Sequence, residues 1–241
     1  MDVNKNSYTF AFSAILVIVV AGSLAFVSES LKPMQKENVR LEKMQNILAS
    51  VKVESTPEEA KEKFDKYIVD QKMLNASGDV VAAKDGLGPF DIDVVKQYKT
   101  EKAENRLYPL FIFEDGSNRK FIVPLAGKGL WGPIWGYVAF EDDMQTVYGS
   151  TFDHKTETPG LGAEIKETWF QERFIGKSIF DSQGEFVSIE VVKGGTDVEG
   201  DAHRVDGISG GTITSKGVGE MIERTLKVYV PYFKGTQQAS L

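Results

Sequence analysis

The sequence predicts an α+β protein, in which a single N-terminal transmembrane helix precedes a domain with an antiparallel sheet and flanking helices. Two observations carry this prediction. Residues 8–27 contain no charge, and the second half of the chain places short apolar segments between polar turns before a long helical pattern. The 241-residue chain leaves enough length after the apolar segment for one large domain or a compact pair of domains.

The N-terminal apolar segment, YTFAFSAILVIVVAGSLAFV (residues 8–27), has the 20 residues that a helix needs to cross a hydrocarbon core. A cleaved signal peptide is the alternative, but its apolar stretch is usually shorter, and no clear A-x-A-like cleavage site follows here. We therefore expect a retained anchor over residues 1–30. Only Lys5 precedes the anchor, whereas four basic residues follow it closely: Lys32, Lys36, Arg40 and Lys43. By the positive-inside rule, this distribution would place the following domain in the cytoplasm.

The next part of the chain, residues 31–105, is predicted to be a mixed, mainly helical connecting region. Apolar residues recur at helical spacing over residues 34–53, which predicts a helix there. A second helix is expected to begin after Ser55 or Thr56, because a proline and two glutamates follow them. Residues 78–100 show a loop pattern with short strands and no motif.

The last part, residues 106–235, carries the predicted sheet and its helices. The segment DGSN at 115–118 lies between two apolar runs, which is typical of a β-hairpin. The further predicted elements are two strands at 133–140 and 145–152, a helix at 162–177, a strand at 185–192, and a final helix at 214–232.

Composition excludes several classes of chemistry. The chain has no cysteine, so iron–sulfur clusters, thiol nucleophiles and c-type haem attachment are absent. Its two histidines, His154 and His203, do not form a metal-binding spacing, and we expect neither a metal site nor an acid/base catalytic residue. The net charge of −7, with no basic patch, argues against nucleic acid as a partner. Any redox cofactor must therefore be bound by other chemistry.

One stretch that could bind a ligand is DHKTETPGLGAEI, residues 153–165. Its turn, residues 158–162, contains two glycines, which would allow another backbone or a flat ligand to approach closely. A helical pattern follows, so free amides could face an anion there. The alternative is a plain loop between a strand and a helix, which the residues taken alone favour.

A second stretch, DGISGGTITS at residues 206–215, combines glycines, hydroxyls and a helix start. These are the ingredients of a phosphate cradle, because glycines free backbone amides and the helix dipole favours negative charge. The pattern is neither a Walker loop nor G-x-G-x-x-G. A glycine-rich turn with Thr214 or Ser215 as N-cap is an equally good interpretation of these residues.

Taken together, these segments resemble a known family. Residues 206–212, DGISGGT, are similar to the flavinylation motif D-G-x-[ST]-G-A-T of FMN-binding domains in bacterial respiratory complexes, with Gly211 in place of alanine. The segments ETPGLG (157–162), GLWGPIWGYVAF (129–140) and QNIL (45–48) resemble further family features. The resemblance is to the family of the C subunit of the sodium-translocating NADH:quinone oxidoreductase. The G subunit of the Rnf ferredoxin:NAD oxidoreductase is related, but is usually shorter.

The resemblance implies FMN joined through its phosphate to the hydroxyl of Thr212, a bond made by a separate flavin transferase. It also implies that Trp131 packs near the flavin ring. The other residues expected to bind the cofactor are Glu157, Thr158, Gly160, Leu161, Asp206, Ser209, Gly210, Gly211 and Thr214.

The role implied is electron relay in a multi-subunit respiratory complex that couples NADH oxidation and quinone reduction to sodium translocation. The expected partners are the other subunits, the flavin transferase and membrane lipid. By family analogy the chain spans the bacterial inner membrane once, with a periplasmic domain, which conflicts with the charge distribution. Two alternatives stay open: an Rnf-type G subunit, and a membrane-anchored binding or assembly module without redox function.

Overall fold

A computed structural model describes residues 5–82 and 86–239. The chain divides into two compact units, Met1–Lys43 and Met44–Leu241. The first unit consists of the greater part of one long helix, and the second contains the sheet and all other elements.

The first helix, α1, runs without interruption over Asn6–Ser50 and is long and apolar enough to cross a membrane. No residue of its most apolar window is buried within the described part of the protein, as in a segment that faces lipid. The anchor and the helix predicted at 34–53 are therefore one helix and not two. Pro33 lies inside this helix. Proline has no backbone N–H and removes one hydrogen bond, a loss that a long helix can accommodate.

The connecting region contributes directly to the second unit. Helix α2, Pro57–Tyr67, has Thr56 at its N-cap, one of the two predicted candidates. Strand β1, Ile68–Leu74, pairs antiparallel with the first strand of the predicted sheet region. The predicted boundary at residue 105 thus falls between two strands that pair with each other, β1 and its partner. A short helix, α3, follows at Val94–Thr100.

The sheet is an antiparallel meander of five strands in the order β1-β2-β3-β4-β5. Its remaining strands are β2 (Tyr108–Asp115), β3 (Asn118–Lys128), β4 (Pro133–Phe140) and β5 (Val147–His154). The β2–β3 hairpin turns between Asp115 and Asn118, where the sequence predicts it. The predicted α+β class is confirmed.

Two predictions between β5 and the last helix are wrong. The helix predicted at 162–177 is three short pieces: a 3₁₀ turn at Gly162–Lys166, helix α4 at Thr168–Gln171, and a 3₁₀ turn at Glu172–Phe174. Extended backbone at Glu167 interrupts it. The breaks let Ile165, Phe170 and Phe174 all enter the core, so tertiary packing outweighs the helical pattern.

The strand predicted at 185–192 is shorter than expected. Ser188 has φ 62°, in the left-handed region, which interrupts extended backbone and leaves only β6, Glu190–Val192. This strand pairs in parallel with β7, Arg204–Asp206, in a separate two-stranded sheet.

The last helix, α5, runs over Thr212–Ala239 and packs its apolar face on the sheet. Gly127 and Gly217 let it approach β3 closely: a Cβ at Gly217 would lie 2.5 Å from the carbonyl oxygen of Lys128. The N-terminus of α5 therefore lies beside the turn that joins β3 to β4. This contact determines the position of the candidate site.

Candidate functional site

Three segments meet at the N-terminus of α5. They are the β3–β4 turn (residues 129–132), the loop after β5 (residues 155–162, the β5 loop) and the loop before α5 (residues 207–211, the α5 loop). The sequence motifs thus come together in space although they are far apart along the chain.

Glu157 connects two of these segments to the helix. Its side chain is only 5% exposed, and its Oε1 accepts hydrogen bonds from the backbone N–H groups of Trp131 (2.8 Å) and Gly132 (3.2 Å). Its Oε2 accepts a hydrogen bond of 2.6 Å from the hydroxyl of Thr214. Both carboxylate oxygens are therefore used within the protein, as a buried carboxylate requires.

Two glycines give this carboxylate its space. A Cβ at Gly129 would lie 2.5 Å from Glu157 Oε1, and a Cβ at Gly162 would lie 2.5 Å from Glu157 Oε2. From the sequence, the glycine of the β5 loop at 162 was expected to leave room for a ligand or another backbone. In the structure a buried side chain occupies that room.

The start of α5 differs from the predicted cap. The helix begins at Thr212, so Gly211 occupies the N-cap position, and Thr214 and Ser215 lie within the first turn. The Ser215 hydroxyl donates to the carbonyl of Gly211 and accepts from the N–H of Ile208, both at 2.9 Å. Ser215 therefore stabilises the α5 loop from inside the helix.

The two threonines of this turn have different environments. Thr214 is 2% exposed and its hydroxyl is bonded to Glu157. Thr212 is half-buried, and its hydroxyl has no hydrogen-bond partner among the residues that the structure describes. Ile213, between them, is 58% exposed. Of the two threonines, Thr212 is therefore the more accessible.

Asp206, at the start of the motif, bonds within the protein. Its carboxylate accepts from the Arg173 guanidinium (3.1 Å) and from the backbone N–H of Thr196 (3.1 Å). Arg173 also donates to the carbonyl oxygens of Asp206 (2.7 Å) and Gly207 (3.2 Å), and its guanidinium lies over the ring of Trp169. Arg173 thus fixes the first two motif residues.

The open side of the site is apolar. Trp131 is 67% exposed and Leu161 is 42% exposed, so both present apolar surface that a ligand or partner could cover. Leu161 contacts the α5 loop: a Cβ at Gly210 would lie 2.7 Å from Leu161 Cδ2, and one at Gly211 would lie 3.0 Å from its carbonyl oxygen. Gly210 also has φ +75°, so both its backbone conformation and its contact with Leu161 favour glycine at this position.

The remaining predicted site residues are exposed. Thr158 and Gly160 lie on the surface of the β5 loop, and Ser209 lies on the surface of the α5 loop. Thr158 accepts, through its carbonyl, hydrogen bonds from the N–H groups of Leu161 and Ala163 at 3.1 Å each. These residues shape the loops around the helix N-terminus.

Three lysines lie in or beside the segments that form the site, although the chain is acidic. Lys128 precedes the β3–β4 turn, Lys155 donates its backbone N–H to Pro133 (3.1 Å), and Lys216 lies in the first turns of α5. All three lysines are exposed. Together with the positive end of the α5 dipole, they favour an anionic group at this end of the helix.

Three residues of this arrangement have roles that the sequence did not reveal: Arg173, Gly129 and Ser215. Ser215 had a local signal, since a hydroxyl four residues after Gly211 can bond back to its carbonyl. Arg173 and Gly129 had none, because their partners lie 33 and 28 positions away in sequence.

The geometry defines a class of protein. Residues 129–227, which include all three segments, match the FMN-binding domain family. A helix N-terminus, surrounding lysines, an accessible threonine hydroxyl and exposed apolar side chains suit a cofactor with a phosphate and a flat ring.

Comparison with whole proteins specifies the family. The chain is 31% identical over 239 residues to the C subunit of the Na⁺-translocating NADH-quinone reductase of Pseudomonas aeruginosa, covering 91% of each chain. It is 32% identical to the same subunit of Vibrio vulnificus, covering 84% of each. The crystal structure of that subunit from Parabacteroides distasonis matches with a TM-score of 0.74 and 43% identity, over 84% of this chain and 96% of that one. Shewanella oneidensis NqrC matches with a TM-score of 0.66 and 28% identity, over 81% and 98%. The chain belongs to the NqrC family, the C subunits of Na⁺-translocating NADH-quinone reductases.

Proposed function

We propose that this chain is a membrane-anchored flavoprotein subunit that carries FMN on Thr212 as a phosphoester. In this role it relays electrons within a respiratory complex that couples NADH oxidation and quinone reduction to sodium translocation. Family membership supports the complex, since the relatives bear the name of that reductase. The match of residues 129–227 to FMN-binding domains supports the cofactor.

The contrast between Thr212 and Thr214 carries the choice of attachment residue. The Thr214 hydroxyl is buried against Glu157, so its oxygen lies out of reach of a flavin donor as large as FAD. The Thr212 hydroxyl lies at the same helix end without such a bond. A threonine hydroxyl is a weak nucleophile, so we infer that a flavin transferase activates it.

The proposed attachment reaction balances with FAD as donor. The Thr212 oxygen attacks the phosphorus of the FMN half, the pyrophosphate bond breaks, AMP leaves, and the hydroxyl proton goes to the transferase or solvent. The product is one phosphoester and one AMP, with no change in oxidation state. FMN then supplies the electron transfer chemistry.

The chain's own residues would bind and orient the cofactor. The N-terminal amides of α5 and the lysines at positions 128, 155 and 216 would stabilise the phosphate, whose charge suits a helix N-terminus. Trp131 and Leu161 offer exposed apolar surface to a flat ring. Asp206, through Arg173, would keep the α5 loop in position beside Thr212.

Intact-mass measurement tests the attachment. The full-length chain, co-expressed with a flavin transferase, should gain the mass of one FMN less one water and fluoresce in a denaturing gel. Thr212→Ala should abolish both signals, whereas Thr212→Ser, which keeps a hydroxyl, should retain them. Peptide mapping that found the modification on Thr214 would refute the proposed residue. Absence of any adduct on the unmodified chain would instead favour a binding or assembly module without redox function.

We also propose that α1 spans the bacterial inner membrane once and that the second unit lies in the periplasm. The length and hydropathy of α1 support the span, and family membership is the ground for the orientation. Relatives of matching length favour the NqrC family over an Rnf-type G subunit. Protease added to intact spheroplasts should digest the second unit. Protection of that unit until the membrane is opened would reverse the orientation.

A further inference from the structure

The Glu157 carboxylate is the polar connection between the β3–β4 turn and the first turn of α5. It accepts from two amides of the turn, at Trp131 and Gly132, and from the hydroxyl of Thr214 on the helix. The turn itself is closed by a hydrogen bond of 2.8 Å from the Gly129 N–H to the Gly132 carbonyl. A rigid turn is thereby fixed to the helix end through one side chain.

This connection joins the two places where the proposed cofactor would be bound. Trp131 presents an exposed side chain while its own N–H is bonded to Glu157. Thr214 lies two residues after Thr212, about 3 Å farther along the helix axis at 1.5 Å per residue. The bond between Glu157 and Thr214 therefore helps to set the spacing between Trp131 and the attachment hydroxyl, together with the close packing of Gly217 on Lys128.

Neither member of this pair is available to contact a ligand directly. Glu157 and Thr214 are both buried, and each uses its polar atoms on the other or on the turn. The glycines at 129 and 162 enclose the carboxylate so closely that a Cβ at either would lie 2.5 Å from it. Their burial favours a role for both residues other than direct contact with the flavin.

We propose that Glu157 and Thr214 are positioning residues, which fix the orientation of the isoalloxazine ring relative to its attachment point without touching it. This proposal rests on the proposed attachment of FMN to Thr212. Loss of the Glu157–Thr214 hydrogen bond leaves Thr212 able to carry FMN. It detaches Glu157, and with it the turn that bears Trp131, from the helix end, so the ring loses its fixed contact and moves about its covalent tether.

The test compares three variants of the flavinylated full-length chain. Thr214→Val removes the hydroxyl at nearly constant volume, and Thr214→Ser keeps it. The matched control is Thr146→Val, because the Thr146 hydroxyl donates a hydrogen bond of the same length, 2.6 Å, to Asp143 in the β4–β5 turn. Time-resolved anisotropy and emission of the flavin report ring mobility and contact with Trp131, and intact mass reports attachment.

Thr214→Val should keep one FMN per chain. The population of mobile, brightly emitting flavin should rise roughly tenfold, because that is the change in an equilibrium constant typical of losing a hydrogen bond to a buried charged group. Thr214→Ser and Thr146→Val should both match the unmodified chain. If Thr214→Val fails to fold, Thr214→Ala takes its place with the same expectation.

Three results would overturn the proposal. One is flavin anisotropy and emission in Thr214→Val equal to those of Thr146→Val. Another is loss of FMN attachment in Thr214→Val, which would assign the pair to the attachment reaction. The third is a mobile ring in Thr214→Ser. If the unmodified chain carries no FMN at all, the proposed function fails instead, and intact mass distinguishes that case.

Discussion

Replacing Gly162 with alanine tests how closely the protein encloses the Glu157 carboxylate. Gly162 lies in a 3₁₀ turn and is not among the glycines with positive φ, so its backbone accepts alanine without strain. The added Cβ would lie 2.5 Å from Glu157 Oε2, 2.6 Å from Thr214 Oγ1 and 3.1 Å from Thr214 Cβ. Any effect therefore comes from these contacts.

The expected loss of stability in Gly162→Ala follows from how little these atoms can move. Ordinary contact begins at 3.4 Å, so Glu157 Oε2 must move by about 0.9 Å. The other carboxylate oxygen is bonded to the amides of Trp131 and Gly132, and Gly129 packs behind it. Overpacking costs about 1–3 kcal/mol, and the weakened hydrogen bond to a buried charge costs a similar amount. With partial relaxation, we expect the free energy of unfolding to fall by about 2–4 kcal/mol.

Urea denaturation of the full-length chain in detergent measures this change. All three tryptophans lie in the second unit, at positions 131, 135 and 169, so their fluorescence reports its unfolding. The midpoint should fall without a change in the slope m. Gly235→Ala is the control, because Gly235 lies in α5 with no heavy atom within 4 Å of the added Cβ. A loss below about 0.5 kcal/mol for Gly162→Ala would show that the carboxylate is not enclosed as described.

Three further predictions concern other positions. Gly211→Ala restores the alanine of the flavinylation motif at a site without positive φ, so the free energy of unfolding should change by less than about 1 kcal/mol. Intact mass should still show the FMN adduct, and loss of the adduct would contradict the proposed motif. Tyr229→Phe removes the hydroxyl that donates to the Pro109 carbonyl at 2.7 Å in the core. The free energy of unfolding in urea should fall by about 1–2 kcal/mol. An unchanged free energy would indicate that water satisfies the Pro109 carbonyl in the variant. For Asp143, burial raises the carboxyl pKa, but hydrogen bonds from the hydroxyl and amide of Thr146 and from Gln145 outweigh it and leave the pKa below its ordinary value. A depressed folded-state pKa contributes stability that is present above the ordinary value and is lost as pH falls through the folded value. The stability advantage over Asp143→Asn should therefore shrink below about pH 4, and a constant difference across that range would refute the assignment.

The segments of the candidate site could be picked out from the sequence, but their residues alone left its role open. Glycines, hydroxyls and a helix start within ten positions beside α5 fitted a phosphate cradle and a capped turn equally well, and the family resemblance favoured the first. The structure brings the α5 loop, the β5 loop and the β3–β4 turn together there. The motif resemblance singles out Thr212, but the sequence does not show that the two threonines differ by burial and by one hydrogen bond.

Some elements were predicted wrongly for a common reason. Periodicity over residues 162–177 favours a helix, yet Glu167 is extended and the segment packs Phe170 and Phe174 into the core as separate turns. Ser188 shortens a predicted strand by adopting positive φ. In both segments long-range packing exceeds the small free energy of local preference.

The sequence by itself determined what depends on near neighbours: the apolar span of α1, the hairpin at Asp115–Asn118, and the glycine–hydroxyl motif before α5. These follow from side-chain spacing and turn chemistry within a few residues. Only the tertiary structure decided that Glu157 bonds to Thr214 across 57 positions and that Arg173 bonds to Asp206 across 33. Such pairs depend on strand register and helix docking, which are set by the packing of the whole core and leave no local pattern in the chain.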